Sequence, residues 1–202
     1  MKTKDVLKII FAFMAIIFII SSCGTPCTPW REREGLCAGP KELDIPPGPQ
    51  GPQGNMVRNG DFSEGEIGWS NRCCWGMAKG TVSFDNGEMH VNVTKQGTDE
   101  WHFQIQNWGH HIVEGRTFVV SFKARSPQSR KIQVRLGRGD PGPYDHYLEE
   151  QDVKLTPEMK EYSFEFKMNK YKTNENAVLD INLAGDVGEV FIDDVDVREK
   201  GS

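Results

Sequence analysis

The fold is decided by one stretch, residues 117–125, which reads TFVVSFKAR. Apolar side chains occupy every second position of this stretch, at Phe118, Val120, Phe122 and Ala124. A period of two places these side chains on one face of a β-strand, whereas a helix needs a period near 3.6. The stretch therefore predicts a strand with one face in a core.

Similar short stretches occur on both sides of it. They are separated by Gly, Asn, Asp and Pro, which favour turns, and none has a sustained helical period. Many short strands with turns between them predict an all-β domain, a β-sandwich of the jelly-roll kind, over residues 55–202. The predicted strands are residues 80–84, 89–93, 101–105, 117–124, 131–136, 161–166, 177–183 and 189–197.

The same alternation assigns the two faces of each strand. In the strand at 101–105, the residues expected to face the core are Trp101, Phe103 and Ile105. The outward row is then His102, Gln104 and Gln106. In the strand at 131–136, Arg135 faces outward by the same rule.

The N-terminus predicts an export signal over residues 1–22. Three Lys and one Asp precede a run of twelve apolar residues, 9–20. That run is too short to span a bilayer, which takes roughly 20 residues, but it fits the apolar region of a signal peptide. Ser21 and Ser22 then precede Cys23, and this order resembles a bacterial lipobox, in which the Cys is lipidated and the peptide is cut before it. The sequence therefore predicts a lipoprotein anchored to a membrane of the bacterial cell envelope, at the periplasmic face or the cell surface.

Residues 23–54 are expected to form a spacer. The segment 46–54 has Gly at every third position, a collagen-like pattern that is far too short for a triple helix. We expect an extended, polyproline-type stalk between the anchor and the domain.

Four cysteines remain if Cys23 is lipidated. An exported chain allows disulfides, and four Cys allow three pairings. Cys27 with Cys37 would close a small loop in the spacer, leaving the neighbours Cys73 and Cys74 as a vicinal disulfide or as two thiols.

The net charge of the chain argues against nucleic acid as a partner. The chain has a net charge of −5, and removal of residues 1–22 would make it more acidic. A chain without a basic run is not expected to bind nucleic acid. Membrane contact is therefore expected through the lipid.

Four motifs in the domain carry a resemblance to a known family. They are residues 59–62 (NGDF) with 68–69 (GW), 101–105 (WHFQI), 115–125 (GRTFVVSFKAR) and 190–195 (VFIDDV). In this order they resemble carbohydrate-binding modules of the family 4/9 type. The resemblance implies a galactose-binding-like jelly roll that binds a glycan or polysaccharide.

The resemblance also implies a structural calcium between the opening and closing segments. The acids in the matching places are Asp61, Glu64, Asp193 and Asp194, and the family pattern favours Asp194 over Asp193. Glu64 follows Ser63, whereas family members often have Glu directly after the Phe. Calcium takes six to eight oxygen ligands, so these acids are candidates. The alternative is that they are solvated turn residues.

A glycan site needs flat aromatic rings and groups that bond hydroxyls. The outward row of His102, Gln104 and Gln106 has the polarity of a groove floor. The candidates that could line the groove are Trp75, Trp108, Tyr144, Tyr147 and Arg135.

Catalysis is not expected. The sequence has no recognised acid/base motif, phosphate loop or nucleophile elbow. The predicted function is non-catalytic carbohydrate binding by a lipid-anchored envelope protein. The alternative is a structural or adhesive surface lipoprotein with the same fold that binds a protein and no sugar.

Overall fold

The structure is a computed structural model that describes residues 54–139 and 142–201. The predicted signal peptide, the lipidation site Cys23 and the pair Cys27 and Cys37 lie outside these residues. Within the described residues no helix is long and apolar enough to cross a membrane. The strands are β1 (Trp69–Cys73), β2 (Lys79–Asp85), β3 (Glu88–Lys95), β4 (Phe103–Ile112), β5 (Thr117–Arg125), β6 (Lys131–Gly137), β7 (His146–Lys154), β8 (Lys160–Lys167), β9 (Asn174–Asn182) and β10 (Gly188–Glu199).

These strands form two five-stranded antiparallel sheets. The front sheet has the order β1-β4-β9-β6-β7, and the back sheet has the order β2-β3-β10-β5-β8. The inner faces of both sheets supply the core, including Phe118, Val120, Phe122 and Ala124 of the stretch that opened the sequence analysis. The prediction of an all-β sandwich is confirmed.

Two strands were missed by the sequence prediction. In β1 the apolar residues do not alternate, and in the strand HYLEEQDVK, which is β7, both Tyr147 and Leu148 are buried. The pairing of β6 with β7 shifts register between Val134 and Leu136, and again between Leu136 and Gly137. Irregular pairing interrupts the period of two from which strands are recognised.

The predicted faces at the start of β4 are wrong for two residues. Residues 100–102 form a 3-10 turn, and β4 begins only at Phe103. Trp101 is 47% exposed instead of lying in the core, and His102 is buried instead of facing outward. Alternation requires extended backbone, so it does not apply to the turn.

His102 is held in this turn by its surroundings. The backbone N–H groups of Thr98 and Asp99 donate to its Nδ1 at 3.2 and 3.4 Å. A side chain at either Gly76 or Gly97 would overlap the imidazole ring. His102 therefore packs between two loops and has a structural role.

The opening segment closes the sandwich against a bulge in β10. The N–H of Val195 donates to the carbonyl of Gly60 at 2.9 Å, and that of Met56 donates to the carbonyl of Val197 at 2.8 Å. The pairing of β10 with β5 is irregular between Asp193 and Asp196, as expected for a bulge.

Candidate functional site

A row of polar side chains crosses the outer face of the front sheet. The register aligns Gln104 of β4 with Asn182 of β9, Asn182 with Gln133 of β6, and Gln133 with Asp152 of β7. Each amide donates to the next side chain, from Gln104 to Asn182 at 3.0 Å, from Asn182 to Gln133 at 3.2 Å and from Gln133 to Asp152 at 3.3 Å. We call these four residues the amide row. The bonds fix the orientation of each amide, so the row presents an ordered set of donors and acceptors.

A second row runs parallel to the amide row and consists of Gln106, Asp180 and Arg135, which we call the charged row. Gln106 donates to Asp180, and Arg135 forms an ion pair with the same carboxylate. All three side chains are buried. Burial raises the pKa of Asp180, and the Arg135 guanidinium acts in the opposite direction.

The charged row also contains polar atoms without a protein partner. Gln106 Oε1 and Arg135 Nη1 are both enclosed and accept or donate no hydrogen bond within the described residues. Because these atoms are enclosed, the charged row serves mainly to support the neighbouring side chains of the same face. In the amide row, Gln104 and Gln133 are half-buried and Asp152 is exposed, whereas Asn182 is buried.

Trp108 supplies the aromatic ring of this face. It is half-buried and occupies the next outward position on β4 after Gln106. A side chain at Gly139, two residues after β6, would overlap the Trp108 ring, so the ring lies directly against that backbone. On β1, Arg72 pairs with Gln104 and places its guanidinium carbon 5.9 Å from the centre of the Trp108 ring.

The remaining predicted site residues lie outside the two rows. Trp75 is half-buried in the turn after β1, where its backbone N–H donates to the carbonyl of His102 at 2.9 Å. Tyr144 is 59% exposed in the loop between β6 and β7. Tyr147 belongs to the core, and its hydroxyl accepts a hydrogen bond from Asn174 at 2.6 Å. The structure thus brings Gln104, Gln106, Trp108 and Arg135 to one face.

Sequence reasoning missed several residues of the face. They are Arg72, Gln133, Asp152, Asp180 and Asn182. Polar residues at alternate positions of an otherwise apolar strand, Asp180 and Asn182, were the signal that could have identified β9. Arg72 gave no such signal because β1 itself was not recognised.

The three acids favoured for calcium do not form one cluster with other such side chains in the described residues. The described residues contain no group of three or more His, Cys, Asp or Glu side chains that could hold a metal ion. The Asp194 carboxylate is bound by Lys123 Nζ at 2.6 Å. Asp61 accepts hydrogen bonds from the N–H and hydroxyl of Ser63, and Glu64 is exposed.

An amide joins the opening and closing segments at this place. Asn55 Nδ2 donates to the carbonyl of Val195 at 3.0 Å. Asn55 Oδ1 accepts from the N–H groups of Val57 at 2.8 Å and Val197 at 3.1 Å. A single neutral side chain therefore connects the segments that the calcium was expected to connect.

Solved structures with the same fold include several sugar-binding modules. One described as "CBM4 structure and function" has a TM-score of 0.64 and 24% identity, and the match covers 71% of this chain and 99% of that one. The second N-terminal cellulose-binding domain of Cellulomonas fimi β-1,4-glucanase C has a TM-score of 0.55 and 22% identity, with 70% and 92% covered. A putative sugar binding protein from Bacteroides thetaiotaomicron has a TM-score of 0.53 and 13% identity, with 72% and 100% covered. These likenesses concern the fold.

Sequence comparison gives the family. No curated protein matches the chain. The sequence profile of the carbohydrate binding domain family CBM_4_9 matches residues 54–188, which is more than half of the chain and includes β1 to β9. The chain therefore belongs to the family of carbohydrate-binding modules of the 4/9 type.

Proposed function

We propose that the outer face of the front sheet binds a glycan chain without catalysis. The observation that carries this proposal is the amide row beside Trp108, a set of oriented donors and acceptors next to an aromatic ring. Amides bond the hydroxyls of a sugar in both directions, and an aromatic ring packs against its C–H face. Gln104, Gln133 and Trp108 contact the glycan. Asn182, which is buried and bonded to both glutamines, and the charged row hold them in place.

The charges of the face favour binding over hydrolysis. Glycoside hydrolysis uses a pair of carboxyl groups, one of which must donate a proton. Asp180 is paired with Arg135, and Asp152 is bound by Lys131 at 2.9 Å. The Lys131 ammonium lowers the pKa of Asp152, which keeps this carboxyl ionised and unsuited to proton donation. The acids of the two rows therefore act in recognition and support.

Titration calorimetry on Gln104→Ala and Trp108→Ala tests the proposal. The probes are cellohexaose, xylohexaose, laminarihexaose and mannohexaose, with cellohexaose suggested by the cellulose-binding domain of similar fold. Loss of one hydrogen bond in Gln104→Ala should weaken binding about two- to tenfold, and Trp108→Ala should weaken it more. The matched control is Asn92→Ala, an amide on the outer face of the back sheet, which should bind as tightly as the wild type.

Wild-type affinity for the sugar in all three variants would place the site elsewhere. No binding to any of the four sugars by the wild type would favour the alternative, a surface protein that binds a protein partner. The two results are distinguishable because the first requires a bound sugar.

The proposed location is the bacterial cell envelope, through lipid on Cys23. The support is the order of basic residues, apolar run and small residues before this Cys. Palmitate labelling in cells should be lost in Cys23→Ala and kept in the matched variant Cys27→Ala. Equal labelling of Cys23→Ala and wild type would contradict the anchor.

A further inference from the structure

A disulfide joins the neighbouring residues Cys73 and Cys74 at the end of β1. Cys73 is half-buried and packs against the core, whereas Cys74 is exposed. The last pair of the β1–β4 ladder is Cys73 with Phe103. The bond is thus accessible to a solution reductant on one side and attached to the sandwich on the other.

The residues on either side of the disulfide belong to the region of the proposed site. Arg72 precedes it, pairs with Gln104 of the amide row and extends towards the Trp108 ring. Trp75 follows it, and its backbone N–H donates to the carbonyl of His102, just before β4. The disulfide therefore lies between an arginine on the face and the turn that leads away from it.

At this end of β1 the ladder holds the strand from one side. The strand is five residues long and stands at the edge of the front sheet, where β4 is its one partner among the described strands. Edge strands with one neighbour have half of their backbone groups outside the ladder, and strand ends open more readily than sheet centres. A covalent link between consecutive residues reduces the conformations open to the chain at this point.

We infer that the Cys73–Cys74 disulfide positions Arg72 for the glycan, so that its oxidation state sets the affinity of the face. This inference rests on the proposed function. Arg72 contributes charge-assisted hydrogen bonds to sugar hydroxyls, and such bonds need a fixed guanidinium. In the reduced protein the end of β1 is released, and Arg72 no longer stays beside Gln104 and Trp108.

The change of state is a two-electron reduction. A dithiol reductant transfers two electrons and two protons to the two Sγ atoms. The S–S bond breaks, two S–H bonds form, and the dithiol is oxidised to its own disulfide. Oxidation reverses each of these steps.

The test measures affinity with and without dithiothreitol on the full-length protein. The probe is whichever of the four hexaoses binds the oxidised wild type most tightly. Reduction should weaken binding about two- to tenfold, the range of one typical hydrogen bond. Cys73→Ser/Cys74→Ser should have the affinity of the reduced wild type and should not respond to dithiothreitol, even though Cys23, Cys27 and Cys37 remain.

A second comparison separates positioning of Arg72 from a general loss of structure. In Arg72→Ala the oxidised protein should already bind weakly, and reduction should weaken it no further, because coupled residues are not additive. The matched control is Arg116→Ala, an exposed arginine paired with Glu199, in which reduction should weaken binding as in wild type. Thermal midpoints, recorded for every sample, should lie above the assay temperature.

Unchanged affinity on reduction of the wild type would overturn the inference while leaving the proposed function intact. So would an equal effect of reduction in Arg72→Ala and in the wild type. If the double Ser variant does not fold, the comparison of the reduced wild type with Arg72→Ala still tests the inference. Absence of binding by the oxidised wild type overturns both proposals together.

Discussion

At the scale of single residues, the candidate site depends on satisfied polar pairs. Buried polar groups need partners, and the outer face of the front sheet provides them across strands. Asp180 accepts from Gln106 and faces Arg135, so one carboxylate serves both neighbours. Gln104 is bonded at the surface and is only half-buried. The two positions should therefore respond differently to truncation.

Asp180→Ala should be strongly destabilising. The substitution leaves the Arg135 guanidinium buried without its counter-charge, and breaking a buried pair costs about 3–5 kcal/mol. Gln104→Ala, in the neighbouring row, should cost about 0.5–1.5 kcal/mol. Urea unfolding of both variants measures the difference. If Asp180→Ala unfolds at the same urea concentration as Gln104→Ala, the pair does not stabilise the fold.

A buried histidine should make stability depend on pH. Burial lowers the pKa of His110 from 6.5 to about 4, so the folded protein holds the ring neutral. Between these values the unfolded chain binds a proton that the folded chain does not, and stability therefore falls as pH decreases from 6.5 to 4. The free energy of unfolding should fall by about 3 kcal/mol across this pH range because of His110.

Urea unfolding at several pH values checks this dependence. Carboxyl groups titrate in the same range, so the comparison is between wild type and His110→Leu. In His110→Leu the free energy of unfolding should depend less steeply on pH between 4 and 6.5. His111→Leu, which changes an exposed neighbour, should keep the wild-type dependence. Identical slopes in His110→Leu and wild type would show that His110 does not contribute.

At the scale of elements, loops decide what the strands present. Alternation holds in the first half of β4, where Phe103 and Ile105 are buried. It ends at the 3-10 turn on one side and at the register shift after Trp108 on the other. The loop after β6 reaches over to the Trp108 ring of β4, although β9 lies between the two strands. The position of the aromatic ring therefore depends on a backbone that is distant in the sequence.

Gly139→Ala should weaken glycan binding through this contact. Its Cβ would overlap the Trp108 ring, so either the ring or the loop must move. The expected loss of affinity for the tightest-binding hexaose is about two- to tenfold, comparable to one lost hydrogen bond. Calorimetry measures it, with Gly185→Ala as the control because its Cβ would meet only the flexible Glu100 side chain. Wild-type affinity in Gly139→Ala would mean that the ring position is not set by this loop.

At the scale of the whole molecule, the ends of the domain are connected through Asn55. Its amide bonds to Val57, Val195 and Val197, so it holds the opening segment to β10. The expected calcium ligands Asp61 and Asp194 are engaged in other bonds. Hydrogen bonds between neutral groups therefore connect the two ends of the domain.

Chelation should leave the thermal midpoint unchanged, whereas Asn55→Ala should lower it. The variant leaves backbone groups of β10 and of the opening segment without partners, at a cost of about 1–3 kcal/mol. Thermal unfolding with EDTA, with added calcium and with neither measures both effects. Gln96→Ala, an exposed amide that follows β3, is the control. A midpoint lowered by EDTA would show that a metal stabilises the domain, because a ligand of the folded state alone raises stability.

The sequence by itself determined the fold class and part of the candidate face. Alternation is local, because each strand shows in its own residues which side chains share a face. This was enough for the core rows, and for the outward direction of Gln104, Gln106 and Arg135. It was not enough for His102, because a turn interrupts the extended backbone.

Tertiary structure alone decided which strands are neighbours. Residues of β9 lie between β4 and β6, so Asp180 stands between Gln106 and Arg135, and Asn182 between Gln104 and Gln133. The choice of neighbours depends on long-range pairing of backbone groups and on packing of the whole core, which no single stretch contains. For the same reason, only the folded chain places Arg72 and the Cys73–Cys74 disulfide at the edge of the face.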